Sequence, residues 1–164
     1  MRMGKNHPTQ LPFFHILSVL CVGLFAGLMM TLVVIMHKHW SKLEGKEYVF
    51  YFKGFLMIAK GNPFISLLTF GSFLIPLTLG VVCILLNNTL SGILFLFAGA
   101  IFFLSCFLVT MKLNFPIYNK VIGWTGINDA TDWKNVRYRF FILNIIRMSG
   151  AILSFALLSI IGLI

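Results

Sequence analysis

Acidic side chains are scarce in this sequence: four Asp and Glu stand against thirteen Lys and Arg, and charged residues of both signs make up 10% of the chain. A soluble exterior is roughly 25–35% charged, so this composition excludes a fold that presents itself to water on all sides. None of the four acids (Glu44, Glu47, Asp129, Asp132) falls within a long apolar run. That argues against an ion-coupled transporter working through buried acidic proton carriers. Cysteine is equally sparse. Cys21, Cys83 and Cys106 each lie inside an apolar stretch without CxxC spacing, so neither a disulfide framework nor a metal cluster is expected. A phosphate loop, a Gly-x-Ser-x-Gly elbow, an HExxH helix and a dinucleotide fingerprint are all missing, and no cofactor is expected. The net charge of +9 is not gathered into one stripe, which removes nucleic acid as a partner. Lys and Arg beside anionic lipid headgroups account for it.

What remains is apolar: 59% of the chain, including 18 Phe. A bilayer crossing needs about 20 mostly apolar residues, and four stretches qualify, about 11–36, 63–86, 89–111 and 140–164. The expected fold is all-α, a single transmembrane domain over 1–164 forming an antiparallel four-helix bundle. The first stretch follows Arg2 and Lys5 like a signal peptide, but is too long for an h-region and lacks a small-residue cleavage site, so a retained helix is expected. Segment 47–60 is too short to cross and too apolar for water. It is expected to be an amphipathic interfacial helix, with Trp40, Tyr48 and Tyr51 at headgroup depth. Thr131 or Asn128 is expected to cap the run into the fourth span. Lys38, Lys42, Lys46, Lys53, Lys60, Lys112, Lys120, Lys134, Arg137 and Arg139 belong to the two long loops, against Arg2 and Lys5 on the other side. This asymmetry puts the long loops in the cytoplasm and the termini outside, and the composition suits a bacterial inner membrane.

Small residues mark where helix backbones can approach closely: Gly23 and Gly27 as a GxxxG in span one, Gly99 in span three, Gly150 in span four. Packing inside one bundle and a homodimer through Gly23 and Gly27 are both open on this pattern. Pro76 is expected to kink span two.

Arg147 stands out. It lies seven residues past Phe140, roughly 10 Å into the fourth span. A charge at the bilayer centre costs about 2.5–3.5 kcal/mol on insertion scales. Two readings stand: the side chain snorkels to the headgroups, or it is buried, pairing a loop carboxylate or holding an anionic or carbonyl group of a ligand. Asn144 and Arg137 share its helix face, and His37, His39, Asn114 and Tyr118 fall at the same level. Together they suggest a polar pocket opening toward the long-loop side, walled by Phe and Leu and suited to a flat lipophilic molecule with one or two oxygens. His37 and His39 alone are too few ligands for a metal site. His15, 22 residues away, sits about 33 Å off along the helix, so a haem sandwich is not supported.

Asp132-Trp133, Arg137-Tyr138-Arg139-Phe140 and Asn144-Ile-Ile-Arg147, with Asn114-Phe-Pro116-Ile-Tyr118-Asn119 upstream, resemble the motifs of small four-helix membrane proteins grouped with the fungal anthrone oxygenases. The resemblance covers residues 114–147 in detail and the rest in layout. It implies a four-helix membrane fold and, for active members, oxygenation of a lipophilic aromatic substrate. Where many members carry a His three residues before the Arg, this chain has Asn144, and an amide cannot act as a general base. The leading expectation is therefore a non-catalytic bundle, either an accessory subunit of a larger membrane complex or a homo-oligomer, or a binder of membrane lipid or a lipophilic small molecule. The alternatives are an oxygenase-like enzyme, using Arg147 and Asn144 on a developing oxyanion and His37 or His39 as proton carrier, and an oligomeric transporter or channel.

Overall fold

A computed structural model describes residues 10–126 and 130–162; the expectations placed on Arg2, Lys5, Asn128 and Asp129 lie outside them. The described residues form five helices: α1 Leu11–Trp40, α2 Gly45–Lys60, α3 Pro63–Leu85, α4 Thr89–Gly123 and α5 Trp133–Ile161. All but α2 are long and apolar enough to cross a membrane. Each long helix packs on two others, in the cyclic order α1–α3–α4–α5, so the chain forms an up-down-up-down bundle around one core. The diagonal helices α1 and α4 meet at its centre through Phe25 and Phe102, whose rings make a T-shaped contact at 4.9 Å.

Local chemistry explains the helix boundaries. Asn62 accepts from the backbone N–H groups of Phe64 and Ile65 at 2.9 and 3.2 Å, and Pro63 occupies the first helical position of α3. That position needs no amide hydrogen. The tight α3–α4 turn puts Asn87 at φ 64°, a left-handed conformation that Asn tolerates better than most residues. The helix α3 continues through Pro76, which is buried.

The α3–α4 pair is held by glycines. A Cβ at Gly80 would come within 2.9 Å of the Gly92 carbonyl oxygen, and one at Gly92 within 2.8 Å of that of Gly80. Gly99 fits against Leu77, and Gly150 of α5 against the side chain of Ser105. Ser154 donates from α5 to the Ala98 carbonyl at 2.9 Å. The GxxxG of α1 divides: Gly23 sits against the Phe155 ring, whereas a Cβ at Gly27 would meet nothing within 4 Å.

Three expectations need correction. The first and third helices extend past their apolar spans, α1 to Trp40 and α4 to Gly123, whereas α5 starts at Trp133, in keeping with the expected helical run into the fourth span. At about 1.5 Å per residue, the 35 residues of α4 reach some 52 Å, far beyond a hydrocarbon core of about 30 Å. Hydropathy marks where lipid ends, not where the helix ends. The cap of α5 is Asp132, which makes no side-chain capping bond; its carboxylate takes Lys120 instead. Thr131 lies in the preceding turn. Finally, Trp40 and Tyr48 do not face headgroups but are buried among Phe52, Phe55, Phe140 and Trp133.

Candidate functional site

The long-loop end is built from aromatic rings and cations. In α2, Tyr48, Val49, Phe52 and Leu56 recur every three or four residues and face inward, as an amphipathic helix requires. They seat α2 on the last turns of α4, where Lys53 donates to the Trp124 carbonyl at 2.6 Å and Lys60 to Asn119 Oδ1 at 2.7 Å. Arg137 clamps the α1–α2 connection. Its Nη1 donates to the carbonyls of Trp40 and Leu43 at 3.0 and 3.1 Å, and its guanidinium lies over the Trp133 and Tyr48 rings at 4.9 and 5.4 Å. Burial pushes the Tyr48 phenol well above its ordinary pKa, and the Arg137 charge opposes this in smaller measure. Among the described residues the Tyr48 hydroxyl has no hydrogen-bond partner.

Deeper in the bundle, Phe140, Asn144, Arg147, Gly150, Ala151 and Ser154 form the inward stripe of α5. Arg147 is only 4% exposed. Its Nη1 donates to Asn144 Oδ1 at 2.8 Å, and the Asn144 amide donates to the Phe140 carbonyl at 3.0 Å. Asn144 therefore serves as an oriented acceptor for the guanidinium. The Phe25 ring lies 5.5 Å from Arg147 Cζ, close enough for a cation–π contact. Cys106 Sγ donates to the Arg147 carbonyl at 3.2 Å, tying α4 to α5 at this level.

Among the described residues no carboxylate reaches Arg147: the one ion pair is Lys120–Asp132, and Glu44 and Glu47 are exposed. Among the described residues Arg147 Nε has no hydrogen-bond partner, and neither has the side-chain oxygen or nitrogen of the fully buried Asn114. A charge held this way in a low-dielectric interior is costly unless something completes its hydrogen bonding.

Arg147 borders a cavity of about 120 Å³ bounded by all five helices. Thr110 and Tyr118 of α4, Ser66 and Thr69 of α3 and Lys60 of α2 supply its remaining polar groups; Phe55, Phe70, Phe107 and Phe115 supply much of its apolar wall. On α4 the wall includes Phe107, Thr110 and Met111, which belong to two stretches of wide i→i+5 turns, Phe103–Leu108 and Thr110–Asn114. Such turns often accompany functional sites.

Of the residues singled out in the sequence, Arg147 and Tyr118 line this cavity, and Asn144 reaches it through Arg147. Asn114 is one helical turn from both Thr110 and Tyr118 but does not line it. Arg137, His37 and His39 are not brought to it: Arg137 clamps the loop, His37 stacks on Phe141 with ring centroids 3.7 Å apart, and His39 is exposed. His15 is engaged with the Leu158 carbonyl at 2.8 Å near the opposite end. Thr110 and Cys106 were missed in the sequence; the i, i+4 spacing of Thr110, Asn114 and Tyr118 was the available signal for the former.

No family model matches the chain, and neither the curated proteins nor the solved structures contain a match. Its own sequence and structure make it an all-α protein of four membrane-span-like helices packed together, with a short helix between the first two.

Proposed function

We propose that this chain is a non-catalytic integral membrane protein of the anthrone-oxygenase-like type, whose Arg147 cavity binds the oxygen-bearing end of a lipophilic small molecule. The observation that carries the reading is the buried guanidinium, without a carboxylate among the described residues, beside a cavity with aromatic walls. A carbonyl, phenolate or carboxylate oxygen would accept from Arg147 and offset the cost of burying its charge. Size limits the ligand. A dry cavity of about 150 Å³ holds a benzene ring, so about 120 Å³ takes one ring or one headgroup, its tail leaving between the helices.

Binding is favoured over oxygenation because neither His37 nor His39 lines the cavity and Asn144 cannot move a proton; three fused rings would also not fit. The lysine-rich end is assigned to the cytoplasm by its charge, with α2 lying at the interface. Gly27, open on α1, is the natural contact for a second copy or a partner subunit.

The test is native mass spectrometry of the protein gently extracted from its own membrane, comparing wild type with Arg147→Ala. The expected result is a lipophilic molecule retained by wild type and lost from the variant. Finding no such molecule, or equal retention in both, would overturn the reading.

A further inference from the structure

A second, wider opening lies on the outer side of α2. It is a groove of about 660 Å³ between α2 and the segment Trp124–Gly126 that follows α4. Phe50, Phe55 and Met57 form its apolar wall, while Lys46 and Lys53 bring positive charge to it from one face of α2, two turns apart. The bond from Lys53 to the Trp124 carbonyl holds that ammonium in place, and an ammonium carries two further N–H donors. Among the described residues no acid lines the groove; Glu47, next to Lys46 in sequence, is not part of it. Phe50 in its wall and Ile58 beyond it are each 74% exposed, a degree of apolar exposure that only lipid would cover in a chain of this kind.

An apolar trough with a cationic rim, on a chain with four membrane-span-like helices, matches an amphiphile with one negative head. We propose that this groove binds an anionic phospholipid, with one acyl chain along Phe50, Phe55 and Met57 and the phosphate at Lys46 and Lys53. This site is distinct from the Arg147 cavity and does not depend on it. Phe55 borders both, so α2 carries lipid on one side and the interior cavity on the other.

The experiment titrates delipidated full-length protein in detergent with phosphatidylglycerol and, separately, with phosphatidylcholine of the same acyl chains, counting bound lipids by native mass spectrometry. One phosphatidylglycerol should bind on the order of tenfold more tightly than phosphatidylcholine. The paired change Lys46→Gln and Lys53→Gln should erase that preference. Lys38→Gln with Lys42→Gln, an equal loss of charge outside the groove, should preserve it. Gly54→Leu provides a variant independent of charge: a Cβ there meets nothing within 4 Å, so the protein folds while the side chain fills the groove and weakens both lipids. Equal affinity for the two lipids, an equal effect of the control pair, or unchanged binding to Gly54→Leu would each overturn the proposal.

Discussion

The two ends of the bundle are held by opposite means. Toward the α3–α4 turn, Gly80, Gly92 and Gly99 let backbones approach until no Cβ would fit. Toward the long loops the helices are joined by aromatic rings and by an arginine on backbone carbonyls, and there an interior cavity bounded by all five helices remains. The difference teaches where a small membrane bundle can place a site. Close backbone contact gives rigidity without volume, whereas bulky rings and long cations leave gaps between them.

The largest test of this contrast is Gly80→Leu, for which the facing carbonyl of Gly92 leaves no room. It should cost about 3 kcal/mol or more and abolish folded protein in detergent thermal unfolding. Gly27→Ala should leave the folding of the single chain unchanged, or stabilise it by up to about 1 kcal/mol, because nothing among its own described residues faces it. If the two behaved alike, the glycines would not be what distinguishes this end.

At the other end, Arg137→Met removes two charge-assisted hydrogen bonds and should lower stability by about 2 kcal/mol, read in the same unfolding assay. Arg147→Met goes the opposite way. With its charge unpaired by any described carboxylate, the replacement should raise the stability of the ligand-free protein by about 1–2 kcal/mol while abolishing ligand retention. A large destabilisation would instead make Arg147 a structural brace.

A smaller effect than that of either arginine change belongs to Tyr48→Phe. Removing a buried hydroxyl without a partner should stabilise by about 1 kcal/mol. It should also change the alkaline limb. Because burial raises the folded-state pKa of Tyr48, the unfolded chain ionises first, near pH 10. The phenol's contribution is intact below that pH and declines as pH rises. The Phe variant should lose that decline, which a pH series of unfolding midpoints measures.

Much of this architecture was legible in the chain. The apolar runs located four helices long and apolar enough to cross a membrane, the Asn87-Asn88 turn separated the second from the third, and the periodic rings of 47–60 marked a short helix. Of the proposed site, Arg147 could be found because a charge inside an apolar run is conspicuous, and Asn144 because it sits one turn away. The cavity itself could not. Thr110 and Cys106 look like ordinary residues of an apolar helix, and His37, at the right depth, stacks on Phe141 instead of facing inward.

By itself, then, the sequence determined that lipid is the solvent, how many helices are long and apolar enough to cross, and which polar residues lie at which depth, because these depend on composition and on a helix rise that is nearly constant. Only the tertiary structure decided how far α1 and α4 extend beyond their apolar cores, which glycines touch, and that Arg137 clamps a loop while Arg147 borders a cavity. Those outcomes depend on rotation about each helix axis and on neighbours far away in sequence, and hydropathy, which averages over all faces of a helix, carries neither.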